Sequence, residues 1–127
     1  MNKYRNIQTM TSDGLMFDSH REAVRWEQLR MLEKAGSIVE LRRQVAYELL
    51  PAQYEYYERY SKKGVRLKDG KRLVERKVEY VADFVYHDAK TGELIVEDTK
   101  TTATRTKDYI IKRKLMLIVY GIKIREI

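Results

Sequence analysis

The chain has 127 residues, 43% hydrophobic and 35% charged, with one proline, six glycines and no cysteine. That length fits one domain, the apolar share excludes a wholly disordered chain, and the missing cysteines exclude disulfides and thiolate-bound zinc. With 26 Lys and Arg against 19 Asp and Glu the net charge is +7, which favours a polyanionic partner because each neutralised phosphate releases counterions.

Residues 1–14 (MNKYRNIQTMTSDG) are polar and aperiodic, and read as a flexible tail or loop carrying Lys3 and Arg5. Ser19 followed three residues later by Glu22 has the form of a capping box, so a helix is predicted from Ser19 until Gly36 stops it. Glu22, Trp26 and Leu29 share one face, and Val24, Met31 and Ala35 lie roughly opposite. Apolar on two sides, this helix is expected to touch its own sheet and a second subunit.

Strands are predicted at Ile38–Arg42 and Gln44–Leu50, the second ended by Pro51. The next stretch is dense in tyrosine, and Val65–Val74 turns over at Asp69-Gly70, a dipeptide suited to a type I′ hairpin. Residues 54–77 therefore read as a basic β-ribbon or loop inserted in the domain. Tyr54, Tyr56, Tyr57 and Tyr60 suit one core-facing side of a strand better than stacking on unpaired bases, the alternative.

The clearest strand pair is Tyr80–Tyr86 and Glu93–Lys100, joined by a turn at Asp88–Gly92. Thr106 then caps a helix from Lys107 to Tyr120, Gly121 closes it, and Ile122–Ile127 alternates as a short last strand. Helix, meander, helix and strand make an α/β fold with a mixed central β-sheet flanked by helices. No apolar run reaches about 18 residues and no basic-then-apolar leader is present, so neither a membrane span nor a secretory signal is expected, and a cytoplasmic protein is the default.

Asp98-Thr99-Lys100 carries the chemistry. On a strand, Asp98 and Lys100 share one face, while Glu97 and Thr99 point to the other. Hydrolysis of a phosphodiester needs a cation to polarise the phosphoryl group and activate water, and positive charge near the developing oxyanion. Mg²⁺ takes a few hard oxygens and keeps several waters, so two carboxylates and a backbone carbonyl, that of Thr99, suffice, with Mn²⁺ as the substitute. Asp83, inside the apolar run of the paired strand, is the second ligand, since a lone buried charge is costly unless paired or bound to metal. The plain alternative is a solvated ion pair of Asp98 with Lys100.

Asp83, a 15-residue interval and Asp98-Thr99-Lys100 at the end of an apolar strand resemble the PD-(D/E)XK nuclease superfamily, with its restriction-endonuclease-like fold. Nearly the whole chain is similar to an uncharacterised family of short phage and prophage proteins in that superfamily, domain of unknown function 1064. The similarity rests on Phe17-Asp18-Ser19-x-x-Glu22, Leu41-x-x-Gln44, Tyr80-Val81-Ala82-Asp83-Phe84, Val96–Lys100 and Tyr109-x-x-Lys112-x-Lys114.

The resemblance implies a metal-dependent DNA endonuclease, related to junction-resolving enzymes, encoded by a phage or prophage. In it Asp83 and Asp98 bind metal, Lys100 orients the attacking water, and Glu22 completes the metal shell, although capping alone also explains Glu22. Ala82 replaces the superfamily's proline, Asp98 its more usual glutamate, which raises a helping role for Glu97, and Thr101 a frequent glycine.

Contacts to DNA are expected from Gln44, Lys62, Lys63, Arg66, Lys71, Arg72, Lys112 and Lys114, with support of the metal-binding acids or a plain polar strand residue as the alternatives for Gln44 and a solvated helix face for Lys112 and Lys114. A homodimer suits cutting of two strands, and no organic cofactor is implied. The competing functions are a catalytically inactive DNA-binding accessory protein of the same fold and an RNA- or protein-binding module.

Overall fold

The computed structural model describes residues 8–127, and Lys3 and Arg5 lie outside them. Thr9–Met10 (β1) pairs antiparallel with Met16–Phe17 (β2), so this part of the predicted tail is a small hairpin instead. Two bonds close it, from the Thr11 N–H (2.9 Å) and hydroxyl (3.2 Å) to the Leu15 carbonyl, and Phe17 anchors it in the core. Helix α1 (His20–Lys34) begins at the Ser19 cap and buries Ala23, Trp26 and Leu29, leaving Val24 and Met31 exposed.

Where the sequence predicts two strands, one bent strand β3 (Ile38–Leu50) runs through. Glu40 and Gln44 take left-handed φ angles of 57° and 51°, and the pairing register shifts between Val39 and Arg42. Such irregularities bend a strand without ending its ladder. Gln53–Tyr60 (β4) and Arg66–Glu75 (β5) form the basic ribbon as a separate two-stranded antiparallel sheet.

Two predictions fail in this ribbon. Its turn is at Ser61–Val65, closed by Ser61 N–H to the Val65 carbonyl at 2.8 Å, whereas Asp69 and Gly70 lie inside β5. Gly70 faces Tyr57, and a Cβ on it would come within 2.1 Å of the Tyr57 ring, so this glycine serves a close approach and not a turn. The tyrosines are not core residues either. Every residue of β4 is exposed, Tyr56 at 64%, because the strands of the ribbon make their extended contacts only with each other. The alternation is that of a strand, but no second layer covers it.

Val78–Asp88 (β6), Leu94–Asp98 (β7), Lys107–Tyr120 (α2) and Arg125–Glu126 (β8) complete the chain. The mixed sheet has the order β3-β6-β7-β8, with only β7 and β8 parallel. The Asp88 carboxylate accepts the Lys90 and Thr91 amides (2.8 and 2.9 Å) to make the turn between β6 and β7. β8 is shorter than the predicted 122–127, because the Ile122 amide closes the end of α2 by bonding the Met116 carbonyl.

The two helices serve separate cores. Phe17, Trp26, Leu29, Phe84, Tyr86 and Ile95 form the one on α1; Tyr80, Ala82, Val85, Val96, Tyr109 and Met116 form the one on α2. Strict alternation along β6 would send all its even-numbered residues to one face. Instead Tyr80 and Ala82 join one core, and Phe84 and Tyr86 the other. The switch falls at Asp83.

Glu97 ties α1 to the sheet. It is 0% exposed, takes two bonds from Arg25 (Nε 2.7 Å, Nη2 2.6 Å), and accepts the Tyr86 hydroxyl. Losing one partner of a buried pair strands the other charge. Arg25→Met is therefore expected to destabilise the fold by roughly 3 kcal/mol in urea unfolding, and adding Glu97→Gln, which removes the stranded charge, to recover part of that loss.

Candidate functional site

The β6–β7 ladder ends at Phe84 opposite Glu97. One residue further, Asp83 and Asp98 stand across from each other, an arrangement in which like charges repel. Asp83 Oδ2 is fixed by two donors from Thr99, its amide (2.9 Å) and its hydroxyl (2.8 Å). Thr99 thus enters the site through different groups from the carbonyl the sequence suggests. Asp98, 3% exposed, accepts the Tyr80 hydroxyl on Oδ2 (2.7 Å), and Lys100 Nζ lies 3.3 Å from its Oδ1. Lys100 also stands 4.3 Å from the centre of the Tyr109 ring, which favours a cation over its face. Backbone bonds from Lys100 N–H to the Ile127 carbonyl (3.1 Å) and from Ile127 N–H to the Asp98 carbonyl (2.9 Å) hold the triplet extended.

Glu22 reaches the same place from the first turn of α1. Its amide gives the Ser19 hydroxyl the capping bond, while its carboxylate accepts Gln44 Nε2 at 3.1 Å. The capping and site roles thus belong to different groups of one residue. Gln44 Nε2 also lies 3.5 Å from Asp83 Oδ1, so one amide donor spans two acids. A glutamine at φ 51° is an uncommon backbone state that its surroundings must hold in place.

The structure therefore brings Glu22, Asp83, Asp98, Lys100 and Gln44 together. Lys112 joins Asp83, Asp98, Lys100 and Tyr109 in lining an open cleft at the start of α2. Lys114 does not, and lines a different depression with Lys123 and Glu126. Lys62, Lys63, Arg66, Lys71 and Arg72 stand on the ribbon and not among the cleft residues; Arg66 pairs with Asp69 (2.8 Å) and Arg72 with Glu55 (2.8 Å). Such exposed pairs are weak and exchange readily. Glu97 points away from the acids, to Arg25, so it gives Asp98 no help. Tyr80 is the residue the sequence leaves unmarked: in a strand of apolar residues nothing distinguishes a tyrosine that serves an acid from one that fills a core.

Burial and the neighbouring Asp83 charge push Glu22 up to about 7; burial, with the nearby Asp83 carboxyl, does the same to Asp98. Desolvation disfavours the ionised form, and a second carboxylate within hydrogen-bonding reach disfavours it further. Hard oxygen donors with surplus negative charge suit Mg²⁺ or Mn²⁺. Among the described residues no three acidic or histidine side chains form a ready-made cage, but Mg²⁺ is held by one or two carboxylates and retains its waters. The donor set fits that ion.

A family model described as "Protein of unknown function (DUF1064)" matches residues 1–125. The chain belongs to this family. No curated protein and no solved structure matches it. In this DUF1064 chain no helix among the described residues is long and apolar enough to cross a membrane.

The two raised acids set a pH dependence. A carboxyl that keeps its proton to a higher pH in the folded state stabilises the fold at low pH. That contribution is lost as pH rises from the ordinary carboxyl range to about 7. Without divalent metal, melting temperature is expected to fall across that window. Asp83→Asn removes the charge both acids face, and is expected to raise the melting temperature at pH 8 in EDTA by on the order of a few degrees. Calorimetry on the two proteins checks this; a lower melting temperature for the variant contradicts the account.

Proposed function

We propose that this protein is a divalent-metal-dependent DNA endonuclease with a restriction-endonuclease-like fold, selective for branched or junction DNA and encoded by a phage or prophage. The observation that carries this reading is the convergence of Glu22, Asp83 and Asp98, from α1, β6 and β7, with Lys100 against Asp98. A structural ion-pair cluster would match charges. Here, among the described residues, Lys100 on Asp98 is the one ion pair that the three acids make, with Arg43 acting on Glu22 and Lys112 at the edge of the cleft.

Asp83 and Asp98 would hold Mg²⁺, with Glu22 beside them. When bound, the ion polarises the phosphoryl group and lowers the pKa of water. The side chains divide the remaining tasks. Thr99 and Gln44 hold Asp83 from two sides, and Tyr80 fixes Asp98, so neither acid needs to reorganise during the reaction. The Lys100 ammonium orients the attacking water and offsets charge that develops on phosphate. Lys112, at the cleft edge, contacts a phosphate next to the scissile one. The net charge of +7 supports binding to DNA and predicts affinity that falls steeply with salt.

The competing reading, a DNA-binding protein of the same fold without catalysis, leaves the acids unexplained, since clustered carboxylates repel phosphate unless a cation lies between. Labelled four-way junction, flap, duplex and single-stranded DNA, each incubated with Mg²⁺, Mn²⁺ or EDTA, test the proposal. Cleavage is expected with either metal and not with EDTA, and is expected to fall by about 100-fold or more in Asp83→Asn and in Lys100→Ala. Tight binding without cutting, unchanged by Asp83→Asn, overturns it.

A further inference from the structure

The ribbon is the part of the molecule that the site does not use. A two-stranded sheet alone is marginally stable in water, yet β4 and β5 lie outside both cores and exposed almost throughout. Its pairing gives the two faces different character. Tyr54 stands opposite Leu73, Tyr56 opposite Lys71, and Tyr60 opposite Arg66. Tyr54, Tyr56 and Tyr60 thus share one face, since residues two apart on a strand point the same way and the register shift between Tyr57 and Arg59 leaves Tyr60 across from Arg66. Lys71 Nζ sits 3.8 Å from the Tyr54 ring centre and the Arg66 guanidinium 5.8 Å from that of Tyr60. On the other face Tyr57 lies down over Gly70, filling the space that a side chain there would take. Both faces are exposed, but only the one bearing Tyr54, Tyr56 and Tyr60 carries a row of three rings.

Charge narrows the occupant. Residues 53–77 hold nine Lys and Arg against four Asp and Glu, a net charge of +5 out of the chain's +7. An apolar protein partner gains nothing from that excess, whereas a phosphate backbone does. Aromatic rings flanked by cations are the means by which proteins hold unpaired bases, which expose faces that duplex DNA keeps stacked. Tyrosines two positions apart on one strand face stand about 7 Å apart, roughly twice the 3.4 Å step between stacked bases, so a base fits between neighbouring rings.

We infer that the face of the ribbon bearing Tyr54, Tyr56 and Tyr60 binds single-stranded DNA by stacking, with Lys71 and Arg66 on the backbone. This rests on the nuclease reading and sharpens it: the substrate is DNA with an unpaired stretch, such as a flap or an opened branch.

The test uses full-length Asp83→Asn protein in EDTA at one fixed salt concentration, with fluorescein-labelled oligo(dT) of about 20 nucleotides and a duplex of equal length, read by anisotropy. Tyr54→Ala and Tyr56→Ala are each expected to weaken oligo(dT) binding by roughly 5- to 150-fold. Tyr56→Phe, which keeps the ring and guards against a misfolded ribbon, is expected to stay within about twofold, and duplex affinity within about threefold throughout. Unchanged oligo(dT) affinity in both alanine variants overturns the inference, as does an equal loss for duplex. So does self-association that depends on Tyr56 with no binding to DNA. The outcomes separate the two proposals. Metal-dependent cleavage by the unsubstituted protein together with tyrosine-independent binding rejects stacking alone. Stacking without cleavage rejects the nuclease alone.

Discussion

Two carboxylates directly across a sheet repel, and the surroundings of Asp83 and Asp98 are arranged to hold them there. Each is fixed by neutral donors, Thr99 and Gln44 for the one and Tyr80 for the other. Neutral donors set the position of an acid without cancelling its charge. Lys100 approaches from one side only, and Glu22 adds a third acid. The backbone takes part as well: the pleat of β6 changes face at Asp83, and opposite it Gln44 occupies a left-handed conformation. Regular pairing here would put Asp83 in one core or in plain solvent. The irregular step places it between the two cores, at the open end of the sheet.

Adjacent residues show how local geometry assigns roles. Glu97 and Asp98 are both almost fully buried. Glu97 points toward α1, where Arg25 takes both its oxygens, and becomes a strut between helix and sheet. Asp98 points toward α2, where it meets a phenol and a single lysine and stays close to a second carboxyl, that of Asp83. A shift of one residue in the register of β7 would exchange these roles, so the ladder with β6 fixes chemistry as well as shape.

Much of this was legible in the sequence because it depended on short-range rules. Capping residues placed both helices, β-branched and aromatic runs around a turn placed β6 and β7, and strand parity put Asp98 beside Lys100. What stayed hidden depended on distant partners. Asp69-Gly70 has the composition of a turn, but the Tyr57 ring across the ribbon recruits that glycine into a strand. The tyrosines of β4 look like core because alternation reports a face and not whether anything lies on it. Tyr80 carries no signal of its own, since it acquires its role from an acid 18 residues away in the chain, and Gln44 reads only as a polar residue on a strand until Glu22 and Asp83 close on it. For Glu22 the sequence offers the cap and a place beside the two aspartates as rival readings, and the structure gives its amide to the cap and its carboxylate to Gln44.

The attachment of the ribbon has a mechanical side. Leu50 opposite Val78 is the last pair between β3 and β6, and Gln53 opposite Glu75 the first of the ribbon, with only Pro51-Ala52 and Arg76-Lys77 between. Both legs are too short to act as a swivel. The projection is a lever clamped on two adjacent strands, and those strands are the ones that carry Gln44 and Asp83.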